Sequence, residues 1–219
     1  HDALALVEAL GIYTCFNLLL FDPDTTLHSL RENVRFMQRA STLPFNFGRV
    51  ELYAGTPLLS RMQQEGRAVG DYLQWDYPLA SAAVERVFTM TMAAFRERNF
   101  GADALANRVM GLRFDIEVCR HFHPECFLPS FFQEGLRITR ELSEDSVSAL
   151  STIIDHVGSN PDESGDRQVV DALIPRLRST ETRLSADSQR LAKTLQLAVG
   201  QGFPLSDVGD VATPLQSAN

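Results

Sequence analysis

"FNLLLFDPDTTLHSLRENVRFMQRASTLPFNFGRVELY", residues 16–53, decides the fold. The run Ile12–Phe21 is rich in β-formers and has the length of a buried strand. Asp-Pro-Asp-Thr-Thr then turns the chain: Pro23 fixes φ, and Asp24, Thr25 or Thr26 can cap a helix. Leu27, Leu30, Val34 and Met37 recur at helical spacing, so the next helix covers residues 27–40. "FNFGRVELY", residues 45–53, reads as a second strand with Gly48 as a bulge. Upstream, Leu4, Leu6, Val7 and Leu10 form a helical stripe closed by Gly11. Downstream, "PLLSRMQQEG" is a helix with Pro57 at its first position and Gly66 at its end. Helix, strand, helix, strand, helix is a parallel βαβ pattern, with the 27–40 helix crossing between paired strands.

Bulk properties are those of a globular chain. Its 219 residues are 44% hydrophobic and 22% charged, with a net charge of −8. That charge argues against nucleic acid or an anionic membrane as a partner. No apolar run is long enough to span a bilayer. Three cysteines make no disulfide framework, and a reducing cytoplasm is the expected compartment. Lys193 is the single lysine among the basic residues. His1 falls inside a helical pattern, so a longer parent chain is expected, with the remaining strands in its preceding part.

After residue 70 the strand signals stop. Helical patterns run over "LASAAVERVFTMTMAAFRERN", "ADALANRVMGLRFDIEVCRHF" and "PSFFQEGLRITRELSEDSVSALSTIIDHV". "GSNPDESGD" reads as a polar linker. One or two helices follow, with Pro175 expected to kink or interrupt the first. The last twenty residues read as frayed. The expected divisions are 1–70, 71–157 and 158–219.

Two of these stretches resemble a known family. The "Pro, acidic, Thr" turn at Pro23 to Thr26, and the Tyr-x-Gly-Thr-Pro-Leu turn at Tyr53 to Leu58 with its Glu65-Gly66-Arg67 helix end, are similar to the closing part of the radical S-adenosylmethionine (radical SAM) barrel. The likeness covers roughly residues 1–70 and is nearest the branch that often carries an N-terminal cobalamin-binding domain. It implies an α/β fold, with the last βα units of a partial, TIM-like barrel followed by a mainly helical C-terminal domain. It also implies reductive cleavage of S-adenosylmethionine at a [4Fe–4S] cluster, acting on a small-molecule or peptide substrate, with cobalamin-dependent methylation or rearrangement within that branch. The family's Cys-x3-Cys-x2-Cys motif is absent, and its place is expected upstream of His1. Phe21 and Asp22 stand where many relatives have Gly before the proline.

Alternation along the second strand puts Arg49, Glu51 and Tyr53 on one side and Val50 and Leu52 on the other. The charges either line a polar interior, pair with a neighbour, or sit on a water-facing edge. Asn17 is the one clearly polar side chain in the middle of the first strand, either a structural amide or a ligand contact. The Gly55-Thr56 turn can present backbone N–H groups to an anion, or Thr56 simply caps the helix. Under the resemblance these six residues form the cofactor-facing set.

Elsewhere, Cys119, His121, His123 and Cys126 offer four metal-type donors within eight residues, at no standard zinc spacing. On a helix Cys119 and His123 share a face; buried thiols and a satisfied histidine pair are the alternative. "GLRFDIE", residues 111–117, carries Arg113, Asp115 and Glu117, read as a charged helix face or a substrate contact. The rival to an enzyme is a helical interaction module with an α/β scaffold remnant.

Overall fold

A computed structural model describes residues 2–160 and 162–200. His1 and the C-terminal stretch 201–219, read as frayed, lie outside the described residues. Helix α1 (Asp2–Ala9) ends at Gly11, whose φ of +66° suits a residue without a Cβ. Strand β1 (Phe16–Phe21), helix α2 (Leu27–Arg39) and strand β2 (Phe45–Arg49) follow. The two strands pair in parallel, Phe16 beside Phe45 and Leu19 beside Gly48, with α2 as the crossover. Thr26 starts α2 in a reciprocal capping box with Ser29. Helix α3 (Pro57–Gln64) begins as expected, with Thr56 as N-cap and Pro57 in its first turn.

Three strand expectations need correction. The irregularity in the ladder falls between Leu19 and Phe21 of β1 and not at Gly48, which pairs with Leu19. The second strand stops at Arg49 instead of continuing to Tyr53. Leu52 leaves the parallel ladder and bridges antiparallel to Trp75. Strand structure also continues beyond residue 70, in a hairpin of β3 (Val69–Asp71) and β4 (Gln74–Asp76). Gly70, at φ +94°, is required there, because a Cβ would sit 2.1 Å from the Gln74 carbonyl oxygen.

The rest is helical. Helix α4 (Ala82–Phe95) runs into a π-helical turn at Arg96–Phe100. Helices α5 (Leu105–Phe122), α6 (Pro129–Ser159) and α7 (Asp166–Val199) complete the chain. Pro175 does not interrupt α7, which is a single 34-residue helix. Leu173 and Leu177 are buried on either side of that proline, and packing holds the helix through it. The segment read as a linker is a short connection between α6 and α7. Arg86 of α4 fastens it, donating to Asp166 at 2.9 and 2.7 Å and to the Asn160 carbonyl at 2.8 Å.

One core cluster joins the inner face of the sheet to α2, α3, α4 and the facing halves of α6 and α7. A second fills the space between α5 and the opposite halves of α6 and α7. The chain is thus an α/β mixture dominated by helix. No helix is long and apolar enough to cross a membrane among the described residues.

Candidate functional site

The outer face of the two-stranded sheet opens onto a cleft of about 920 Å³. Its position follows from the pleat. Phe45 and Phe47 go into the core, whereas Asn17 and Leu19 are exposed. Gly48 widens the floor, since a Cβ there would meet nothing within 4 Å. The β3–β4 hairpin brings Trp75 and Asp76 to one wall, and Phe88 and Met92 of α4 line another side.

The polar residues expected here divide. Asn17, Arg49, Glu51 and Tyr53 all line the cleft, but Gly55 and Thr56 do not. Thr56 is a helix cap: its hydroxyl accepts from Leu59 N–H at 3.3 Å and donates to the Tyr53 carbonyl at 2.7 Å. Arg49 turns away from Glu51. Its guanidinium lies 4.1 Å from the Tyr77 ring and 4.8 Å from the Phe88 ring. It donates to the Tyr77 carbonyl and faces Asp76 at 3.1 Å. Glu51 is exposed and accepts from the Tyr53 hydroxyl, and this bond raises the phenol's pKa. All three thus border one cleft, with Glu51 and Tyr53 bonded to each other and Arg49 held by Tyr77 and Asp76, although the strand itself ends at Arg49.

Tyr77 seals the C-terminal end of the sheet. Its hydroxyl donates to the Val50 carbonyl at 2.6 Å, and burial raises its pKa. Beside it, the first of the two sequence turns meets the helix that follows the second. Asp24 accepts from Arg61 at 2.7 Å and from Arg67 at 2.8 Å, and Arg67 also donates to the Pro23 carbonyl. The bond from Arg67, then that from Arg61, holds the Asp24 carboxyl below its ordinary range.

The cysteine–histidine set does not converge. Cys119 is buried in the second core cluster, while His121 is exposed and Cys126 only partly covered. Cys126 Sγ contacts Glu125 at 3.9 Å, and Cys119 Sγ lies 4.0 Å from the His123 carbonyl. No group of three or more His, Cys, Asp or Glu side chains placed to hold a metal occurs among the described residues.

Sequence reasoning missed Trp75 and Asp76, and Tyr77 just after them, because the hairpin was not recognised. Of the two alternatives for Arg113 and Glu117, burial removes the solvated helix face. Comparison of the chain with protein-family models, with curated proteins and with solved structures returns no match.

Proposed function

We propose that this chain supplies the last βα units of a radical SAM barrel and the helical domain that follows them. The observation that carries it is the junction of Pro23 and Asp24 with Arg67 beside the ends of two parallel strands. Pro23 and Asp24 belong to the first turn on which the family likeness rests, and Arg67 to the helix end that follows the second. In barrel enzymes ligands bind at the carboxyl ends of the strands, where Arg49 and Glu51 stand in this chain.

The three cysteines do not fit a cluster site: Cys15 is exposed before β1, and Cys119 is a core residue. In this proposal the [4Fe–4S] ligands, the remaining strands and any cobalamin domain precede residue 1. The cleft suits part of an S-adenosylmethionine wall. Glu51 can accept hydrogen bonds from ribose hydroxyls, Asn17 can pair with a base edge, and Trp75 offers an apolar surface. Bound S-adenosylmethionine would supply the radical chemistry; these side chains would orient it and exclude water.

The test uses the longer parent protein, reconstituted anaerobically with iron and sulfide. Given S-adenosylmethionine and a strong reductant, it should form 5′-deoxyadenosine, and Glu51→Ala should lower that yield with an unchanged melting temperature. Absence of 5′-deoxyadenosine from the reconstituted parent protein would overturn the proposal. The second reading, a helical interaction module, draws on Tyr53, which is 62% exposed and whose hydroxyl bonds the nearby Glu51. A cluster-free, inactive parent protein would favour it.

A further inference from the structure

At the opposite end of the strands lies a second cleft, of about 660 Å³. It is bounded by α1, by the loops that precede β1 and β2, by the end of α2, and by α5 and α6. Four guanidinium groups border it, those of Arg39, Arg113, Arg120 and Arg140, against the single carboxylate of Glu117. In a chain of net charge −8 this is a local reversal of sign.

The arginines differ in how far the protein satisfies them. Arg39 and Arg140 are exposed and make no hydrogen bond or ion pair among the described residues. Arg120 pairs with Glu117 at 2.8 Å. Arg113 is only 6% exposed, yet its Nε has no partner. Its remaining contacts are long, 3.5 Å to the Thr42 carbonyl and 3.4 Å to the Thr139 hydroxyl. Its guanidinium sits 5.1 Å from the Phe132 ring. Burial works against its charge, and nearby Glu117 offsets only part of that cost.

The fold makes room for Arg113. Gly135 lies inside α6, in its second turn, where glycine is a poor helix former. A Cβ at that position would come within 3.0 Å of Arg113 Cδ and 2.6 Å of Ile116 Cδ1. Helices α5 and α6 thus approach closely at the point where an under-satisfied cation is seated.

We infer that this cleft binds a phosphate-bearing small molecule, its anionic group held between Arg113, Arg39 and Arg140. A multiply charged anion matches an excess of three positive charges better than a monocarboxylate does, and guanidinium forks suit phosphate oxygens. The volume falls within the usual range for small-ligand sites, roughly 300–1,000 Å³. Phe132 and Leu136 offer an apolar surface for the rest of the ligand. None of these residues takes part in the radical SAM proposal.

Calorimetric titration of the full chain with inorganic pyrophosphate tests the inference, with citrate as the carboxylate comparison. Saturable pyrophosphate binding is expected, tighter than that of citrate. Arg39→Gln and Arg140→Gln should each weaken it roughly tenfold, the effect of losing one charge-assisted hydrogen bond. Both residues are exposed and unpartnered, so thermal melting should stay unchanged. Arg35→Gln, on α2 but outside the cleft, should bind like the parent chain. No binding at millimolar pyrophosphate, tighter citrate, or wild-type affinity in the Arg39→Gln/Arg140→Gln double variant would each overturn the inference.

Discussion

The Arg49 guanidinium sits over Tyr77, 4.1 Å from its ring centroid, while donating to the backbone carbonyl of that same residue. One side chain thus ties the last residue of β2 to the segment that follows the hairpin. Arg49→Ala should cost about 1–3 kcal/mol, the combined loss of a partly desolvated cation–π contact and a charged hydrogen bond. Urea denaturation measures it. Arg49→Lys should recover only part of the loss, because an ammonium cannot stack as a plane. Glu51→Ala, at an exposed position, should fall within ~0.5 kcal/mol of the parent.

Arg98 carries a heavier structural load. Its side chain is 1% exposed, 2.7 Å from Asp145 of α6 and 2.7 Å from the Leu177 carbonyl of α7. Replacement by Met would leave Asp145 with only Arg176, at 3.5 Å. Arg98→Met should therefore cost about 3–5 kcal/mol by chemical denaturation. A loss below about 1 kcal/mol would show the pair to be energetically neutral.

Asp115 makes stability depend on pH. It is half-buried in α5 and makes no hydrogen bond or ion pair among the described residues, and burial raises its pKa to about 6 from 3.8. Below 3.8 the folded and unfolded chains both hold the proton, and the residue costs nothing. Between 3.8 and about 6 the unfolded chain ionises first, so stability falls as pH rises. Above that the penalty is constant. Asp115→Asn should raise stability at pH 7.5 by about 1–3 kcal/mol, discounted for partial exposure, and the gain should shrink towards zero near pH 4. Melting temperatures of both chains across that range decide it.

Gly135→Ala sets two effects against each other. Alanine favours a helix interior by roughly 1 kcal/mol. The new methyl would stand 2.6 Å from Ile116 Cδ1 and 3.0 Å from Arg113 Cδ. Overpacking of this kind costs about 1–3 kcal/mol, so net destabilisation is expected. A rise in melting temperature would mean that α5 and α6 can separate there without penalty.

Much of the frame around the cleft was legible in the sequence. The parallel pair, its crossover helix and the caps at Thr26 and Thr56 follow from apolar spacing and turn chemistry, which act within a few residues. The β3–β4 hairpin was not legible. Its strands are three residues each and almost wholly exposed, so no alternation marks them. Gly70, and the Asp71 side chain accepting from Leu73 N–H at 2.9 Å, were the available turn signals. Arg113 and Glu117 looked like surface charge because sequence spacing alone does not tell which helix face a neighbour covers. At Pro175 the expected interruption does not occur, a local rule overridden by packing along α7.

Tyr72 and Leu73, 81% and 77% exposed at the tip of the β3–β4 hairpin, make that turn the natural target of a chymotrypsin-like protease. A nick there would divide the covalent chain after about a third of its length. The pieces would stay together, because Leu20, Leu30 and Met37 on one side of the cut share a core with Val87, Ile153 and Leu177 on the other. The hairpin is therefore a place to split the polypeptide into two fragments that should reassociate from separate solutions. Complementation between residues 1–72 and 73–219 would read out the sheet–helix interface as a bimolecular affinity.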